Sequence, residues 1–387
     1  MRPAPDAGLR ARTRRTCRRN YCADMVDRHQ VMNFRVRAQQ LDRDEGTLAD
    51  TAVLDIGVQN TGPDGARWGL AVRGVDVTAL SDRDVVLLWT VRGAPHLYRR
   101  ADIAQVAAAV EPFSEADASK RVYDAAKPLK AAGIDTLAAL DEIAARMRAI
   151  VSAPTVKGDV SSRLASALPE PYLRFCRPCD ATHLYEMPFR LAAVRAGLEL
   201  RLDTSPPVLH RITRFRKAAA AGDRFNLIRA YLRLLGPATP KQVADYLDAP
   251  LKDVKARWPD DVIEVTVGGE VRCLLAADEE ALESADGTGT RLLGPYDLFL
   301  QAKDRATLVP DSAHAKQLWP VLGRPGAVLV DGELVGTWRP RKSGRTFTVA
   351  VQPWRRLSDA TRKAVTGQAE RLAAYRAVSL SGVEFGS

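Results

Sequence analysis

The sequence predicts an α+β protein in which three tandem winged-helix units precede a small β-barrel-like C-terminal domain. Three times, helical segments are followed by two short strands around a tight turn, with the turns at Gly93, Thr204 and Gly268. The C-terminal part differs, because short strands predominate there and Asp331-Gly332 has a strong hairpin pattern. Helices followed by a hairpin are how a winged helix is built. The repeat therefore indicates tandem units, and not one continuous parallel sheet.

The sequence is predicted to begin with a basic tail over 1–31. Three winged-helix units follow, over 32–115, 116–213 and 214–276, and a β-barrel-like domain covers 277–387. The tail holds eight arginines against three aspartates, which is half of the net charge of +10. It has no apolar segment of the kind found in secretory signals, and we expect it to be disordered. An extension upstream of a start at Met25 or Met32 and a DNA-binding arm are the alternatives.

The first unit is expected to contain three helices, over 33–41, 48–58 and 63–73, and strands over 85–92 and 96–98. Gln59 and Thr61 then lie at a polar junction between two helices. The second unit has helices over 103–110, 137–151 and 182–197, and strands over 198–202 and 207–212. The C-terminal domain has strands over 326–330, 333–338 and 346–351, and a closing helix over 358–378.

The third unit has the clearest pattern. An apolar helical stripe over 225–235 ends at Gly236-Pro237, and Thr239 is a good N-cap for the next helix, over 241–247. A helix over 250–258 should bury Leu251, Val254 and Trp258. It occupies the recognition-helix position and leaves three basic side chains outside as candidate DNA contacts, Lys252, Lys255 and Arg257. Strands over 262–267 and 271–275 complete the wing.

Composition favours an anionic partner, with nucleic acid first, and the alternative is a basic surface that only keeps the protein soluble. No run of 18 apolar residues exists, which excludes a membrane-spanning helix of the usual kind. The five cysteines are scattered, so the cytoplasm is the expected compartment. Cys176, Cys179 and His183 have metal-ligand types, but a second such pair is missing. We therefore expect these cysteines to pack and predict no metal or other cofactor.

Six stretches, in this order, carry a resemblance to a known family. They are Val58-Gln59-Asn60-Thr61, 68–73 (WGLAVR), 89–97 (WTVRGAPHL), 236–240 (GPATP), 292–297 (LLGPYD) and 328–339 (VLVDGELVGTWR). Together they resemble the AlkZ/AlkX (YcaQ-like) winged-helix DNA glycosylases over about residues 32–380. The resemblance implies tandem winged helices on a β-barrel, a concave DNA channel and removal of bulky alkylated purines, crosslinked ones included.

The family's catalytic motif is Gln-x-Gln or Gln-x-Asp. Its first position falls on Gln59 and its second on Thr61, which is neither Gln nor Asp. Glycosidic cleavage needs a positioned water and passes through an oxocarbenium-like state. A Gln59 amide oxygen can position that water, Thr61 can add a hydrogen bond, and Asp64 or Asp55 can supply a carboxylate. The alternative is that Gln59 and Thr61 cap helix ends while Asp64 occupies a first turn.

Further DNA contacts are predicted at the first hairpin and in a basic loop, by Arg92, His96, Arg339, Arg341 and Lys342. His96 can alternatively hydrogen-bond backbone in its turn, and the loop can simply be solvated. Three functions remain open: a monofunctional glycosylase for alkylated bases, a non-catalytic DNA-binding protein and a partner-binding scaffold. The expected partner is double-stranded DNA, bound by a monomer in the nucleoid-associated cytoplasm, without a membrane.

Overall fold

A computed structural model describes residues 25–62, 65–283, 287–343 and 346–386. The fold is mixed α+β, as predicted. Its α-helices are α1 Arg28–Ala38, α2 Gly65–Ala71, α3 Ile103–Ala109, α4 Glu115–Arg121, α5 Ala126–Ala131, α6 Thr136–Ile150, α7 Lys157–Ala167, α8 Glu186–Arg195, α9 Leu227–Leu235, α10 Pro240–Leu247, α11 Leu251–Lys255, α12 Glu279–Leu282, α13 Arg305–Leu308, α14 Ser312–Leu318 and α15 Asp359–Tyr375. Within the described ranges no helix has both the length and the apolar character needed to cross a bilayer.

Among the described residues the strands form four sheets. They are β1 Met25–Val26, β2 Val58–Gln59, β3 Val85–Trp89, β4 Pro95–Arg99, β5 Thr155–Val156, β6 Leu173–Cys176, β7 Ala181–Leu184, β8 Leu198–Leu200, β9 Val208–Arg211, β10 Val262–Val267, β11 Glu270–Leu275, β12 Thr290–Leu293, β13 Gly326–Val330, β14 Glu333–Ser343, β15 Thr346–Pro353 and β16 Ser379–Phe385. The sheet orders are β1-β10-β11, β2-β4-β3-β8-β9-β5, β6-β7 and β12-β13-β14-β15-β16.

Ordered structure begins before residue 32, so the predicted tail is too long at its C-terminal end. Asp27 caps α1 in a capping box with Gln30, and Val31 is fully buried. The preceding strand β1 pairs in parallel with β10. Composition did not indicate this short strand, because the arginines before it dominate the composition of residues 1–31. The rest of the predicted tail, 1–24, lies outside the described residues.

The predicted helix over 48–58 is wrong. Residues Ala52–Asp55 form one 3-10 turn, and the chain then enters strand β2. Gly57, at φ +91°, separates the two in a conformation that disfavours other residues. A Cβ there would lie 2.4 Å from the Tyr98 ring. Gln59 therefore lies on an edge strand opposite His96, and not at a junction of two helices.

The hairpins of the first two predicted units share one sheet, because Leu87 of β3 pairs with Leu200 of β8. The predicted helix over 182–197 begins later than expected, at Glu186, since its first residues form β7. The third unit has the predicted order of α9, α10, α11 and the hairpin β10–β11. Thr239 caps α10, whereas Leu251, expected to face inward, is 38% exposed.

Buried polar contacts join the first helices to the C-terminal sheet. Arg73, which follows α2, holds Asp297 through two hydrogen bonds of 2.8 and 2.9 Å, and both side chains are almost fully buried. Trp68 Nε1 donates to Leu292 O at 2.7 Å. Arg35 of α1 holds Asp304 in the same bidentate way. One apolar core runs from α1 to α15 behind these contacts and fixes β2 against the C-terminal part.

Candidate active site

The Gln59 side chain is half-buried at the end of β2, where the chain turns toward α2. Its Nε2 donates to Thr61 Oγ1 at 3.0 Å. Asn60 between them faces another way, because its Oδ1 accepts from Ala66 N at the start of α2. The hydrogen bond to Thr61 fixes the Gln59 amide and directs its oxygen away from the hydroxyl. That oxygen has no hydrogen-bond donor among the described residues.

Gln59 and Thr61 border a cavity of about 310 Å³ between the first segment and the C-terminal sheet. We call it the glycine-lined cavity, because four glycines contribute to its wall. Its lining comprises Val58, Gln59, Thr61, Gly65, Gly69, Gly294, Pro295, Tyr296, Asp297, Arg324, Pro325, Gly326, Trp338, Arg339 and Pro340. The glycines leave room beside the amide. A Cβ at Gly69 would meet Val58 Cγ1 at 2.9 Å.

A second cavity of about 390 Å³ adjoins the first, and Gln59, Tyr296 and Arg324 line both. We call it the cationic cavity. Its lining comprises Gln59, Arg92, Ala94, Tyr296, Leu300, Gln301, Ala302, Lys303, Arg305, Trp319 and Arg324. Four of these side chains are cations, and within the described residues none is a carboxylate. The amide of Gln59 thus lies where a largely uncharged space meets a strongly positive one.

Neighbouring charges tune the cationic cavity. Partial removal from water, followed by the positive charges of Arg92 and Arg305, lowers the pKa of Lys303 to about 8. Arg92 itself is held by hydrogen bonds to Tyr246 O and Gln301 Oε1, and it stacks on the Tyr246 ring at 4.7 Å. The predicted DNA-binding residue Arg92 therefore lines the cavity from a fixed position.

No carboxylate on the described part of the walls is free to act as a base. Asp55, one of the two predicted carboxylates, is buried and paired with Arg99, Arg224 and Arg233. Asp297 lines the glycine-lined cavity, but its oxygens are taken up by Arg73 and Phe299 N. The other predicted carboxylate, Asp64, lies outside the described residues. What the described walls offer is an oriented amide and a hydroxyl.

His96 is not a DNA contact, because its side chain is 0% exposed. Its Nδ1 lies 2.9 Å from Ala94 O and 3.0 Å from Thr90 Oγ1, as in the alternative in which it bonds within its turn. Burial, and then the charge of Arg92, lowers the pKa of His96 to about 3. The ring is therefore neutral, and it lies on β4 directly beside the strand that carries Gln59.

Of the other predicted DNA contacts, the five whose side chains the structure describes are exposed. Lys252 and Lys255 are exposed on α11, whereas Arg257 stacks on Phe113 and donates to Phe113 O. Arg339 lines the glycine-lined cavity and donates to Gly323 O at 2.6 Å.

Farther along β14, Arg341 is exposed and pairs with Glu384 at 2.7 Å. The side chain of Lys342 is outside the described part of the chain. The structure thus brings Arg339, but not Arg341 or the α11 cations, to the walls of the two cavities.

Part of the walls comes from residues that the sequence did not single out, notably Arg324, Lys303 and Arg305. Tyr296 and Trp338 had a signal, because they stand within the stretches 292–297 and 328–339 that carry the family resemblance. The other residues come from distant segments that only the fold brings together.

Comparison with known proteins agrees with this architecture. The structure is similar to that of the Streptomyces sahachiroi DNA glycosylase AlkZ, with a TM-score of 0.68 and 20% sequence identity over 94% of this chain and 100% of that chain. No curated protein sequence matches the chain. The sequence profile described as DNA glycosylase AlkZ-like matches residues 53–375, so the chain belongs to the AlkZ-like DNA glycosylase family. The family implies DNA as the partner and confirms the predicted resemblance.

Proposed function

We propose that this protein is a monofunctional DNA glycosylase that hydrolyses the N-glycosidic bond of alkylated purines in double-stranded DNA. One observation carries the proposal: the Gln59 amide, oriented by Thr61, lies where the glycine-lined cavity meets the cationic cavity. An enzyme that acts on a base in duplex DNA must bring that base out of the stack and into a pocket. We assign the base to the glycine-lined cavity and its flanking phosphate to the cationic one.

The residues present suit a substrate whose base is already a good leaving group. A cationic alkylpurine departs with the electron pair of its glycosidic bond and becomes neutral, so it needs no proton from the enzyme. Gln59 Oε1 accepts a hydrogen bond from water and aims that water at C1′ of the sugar. Without a free carboxylate, the developing oxocarbenium has little anionic stabilisation. We therefore expect slow turnover, with free base and an intact abasic strand as products.

DNA binding in this proposal is carried by exposed cations on several elements. Three tandem winged helices would place α11 and the basic hairpin β14–β15 along one duplex, with Lys252, Lys255 and Arg341 on phosphates. The protein would act as a monomer on nucleoid DNA, because one chain supplies both cavities.

The test is release of 7-methylguanine from a methylated duplex. Gln59→Ala should lower the single-turnover rate by about 100-fold or more while leaving duplex affinity unchanged, because positioning acts mainly in the transition state. Gln105→Ala is the matched control, since Gln105 is also a half-buried glutamine but lies on α3, away from both cavities. Equal rates for Gln59→Ala and wild type would remove Gln59 from the mechanism.

The missing carboxylate also favours a second candidate, a non-catalytic DNA-binding protein of the same fold. Thr61→Asp separates the two functions. It places a carboxylate within reach of the Gln59 amide at the family's second motif position, and we expect faster base release. If wild type and Thr61→Asp both bind the methylated duplex and release no base, the non-catalytic function is the correct one.

A further inference from the structure

The hairpin β6–β7 carries a cluster of metal-ligating side chains that the glycosylase function does not use. Cys176 ends β6, Cys179 lies in the 3-10 turn that follows, and His183 lies on β7. Their ligand atoms all lie within 4.8 Å of one another. Neither cavity is lined by any of the three residues. The cluster is therefore a separate feature of the molecule.

The local backbone explains why the three side chains converge. Cys176 is paired with Ala181, and Arg174 with His183, so Cys176 and His183 lie on the same face of the hairpin as diagonal neighbours. Asp180 adopts the left-handed conformation, at φ 49°, and returns the chain sharply after Cys179. This turn brings the second thiol back over the face that carries the other two groups.

We propose that Cys176, Cys179 and His183 bind one Zn²⁺ ion, with water at the fourth position. Zinc prefers thiolate and imidazole ligands in tetrahedral geometry, which places neighbouring ligand atoms about 3.5–3.8 Å apart. Contraction of about 1 Å by side-chain rotation reaches that geometry from the observed cluster. Cys179 is exposed and the other two residues are half-buried, so water has access to the open position. Two thiolates balance the charge of the ion.

The proposed ion stabilises a hairpin that packs on α7 through β7 but pairs with no further strand of the described residues. The hairpin forms a two-stranded sheet that is not hydrogen-bonded to the other sheets, and Phe175 within it is 61% exposed. Two-stranded hairpins are marginally stable on their own, so a metal that links its turn to β7 holds it in one conformation. With a single C-x2-C pair, the sequence alone had favoured packed cysteines. The convergence of His183 on them is visible only in the fold.

Cobalt binding to the reduced full-length chain tests the site. We expect one equivalent of Co²⁺ to give the visible bands of a tetrahedral ion and the near-ultraviolet band of thiolate ligation, and Zn²⁺ to displace it. Cys176→Ala, Cys179→Ala and His183→Ala should each weaken Zn²⁺ binding by more than about 100-fold, since even loss of a group behind a ligand costs about 10–100-fold. Cys273→Ala, which changes a half-buried cysteine on β11, should bind normally. The double variant Cys17→Ala, Cys22→Ala should also bind normally.

Alkylation of the wild-type chain tests the site without any substitution. Zn²⁺ should protect Cys176 and Cys179 from iodoacetamide and leave the modification of Cys273 unchanged, as measured by peptide mass spectrometry. Absence of the tetrahedral cobalt spectrum overturns the proposal. So does loss of that spectrum in the Cys17, Cys22 double variant. The protein can also be isolated with a Cys176–Cys179 disulfide. If the chain then binds no Co²⁺ after that disulfide is reduced, the two cysteines are a redox pair and the zinc proposal is wrong.

Discussion

Acid should unfold this protein through His96, the buried ring that lies opposite Gln59 in the sheet. Its Nε2 is buried and has no hydrogen-bond partner among the described residues, so a proton added there would be an unpaired buried charge. The pKa of His96 is lowered to about 3 in the fold, whereas an unfolded histidine takes up a proton near about 6.5. The unfolded chain therefore binds the proton first. The stability that rests on the neutral ring is complete above about pH 6.5 and decreases as the pH falls toward about 3.

The size of the effect follows from that interval. Each pH unit below about 6.5 costs about 1.4 kcal/mol, so the free energy of unfolding should fall by about 2 kcal/mol between about pH 7.5 and about pH 5 through this residue alone. Urea unfolding at both pH values measures the total loss, to which carboxylates also contribute. His96→Gln keeps a neutral donor for Ala94 O and should lose about 2 kcal/mol less than wild type over the same interval. His210→Gln, at a partly exposed ring on β9, should behave like wild type. Equal losses in wild type and His96→Gln would refute the reasoning.

Three further outcomes follow from named contacts. Asp297→Ala should lower the free energy of unfolding by about 3–5 kcal/mol, because it leaves the buried Arg73 without its carboxylate partner. In urea unfolding, the double variant Asp297→Ala, Arg73→Leu should recover part of that loss. The affinity of the wild type for duplex DNA should weaken as the pH rises through about 8, because Lys303 then loses its proton. Binding titrations of Lys303→Met should show a lower affinity at neutral pH and no such pH dependence. Arg341→Ala should change stability by less than about 0.5 kcal/mol, since its pair with Glu384 is exposed, but should reduce the salt dependence of DNA binding by about one unit of slope; an unchanged slope would assign Arg341 no phosphate contact.

Secondary structure was predictable where local signals agreed with the fold. The strands over 262–267 and 270–275 lie where their apolar pattern and the Gly268-Gly269 turn placed them, and both glycines have the positive φ that such a turn requires. The segment before Gln59 was not predictable. Its apolar residues fit a helical stripe, but Gly57 and the pairing of β2 with β4 make it a 3-10 turn and a strand. Long-range pairing outweighed local propensity there.

The candidate site shows the same division. Gln59 was identified from motifs and lies on the walls of both cavities. The residues that supply most of the positive charge of the cationic cavity, Lys303, Arg305 and Arg324, lie far away in sequence. Lys303 and Arg324 line a cavity with Gln59 because the fold joins the first segment to the C-terminal part, through the apolar core and buried pairs such as Arg73–Asp297. Periodicity does not encode those contacts. His96 was ambiguous for a related reason, because a histidine in a tight turn serves a surface or a core equally well until its neighbours are known.

The distribution of charge around Gln59 limits what can enter each cavity. A cationic alkylpurine would be repelled by Arg92, Lys303 and Arg305, which line only the cationic cavity, whereas a phosphate is attracted there. The glycine-lined cavity has neutral walls except for Arg324, Arg339 and the paired Asp297, so it is the less repulsive of the two for the base. In the proposed function, a duplex with its base in the glycine-lined cavity and its phosphate in the cationic cavity would have C1′ directed toward Gln59, because the sugar joins the base to the phosphate. Substitutions of glycines in the first cavity should therefore change which lesions are released, and substitutions of cations in the second should change affinity for every duplex alike.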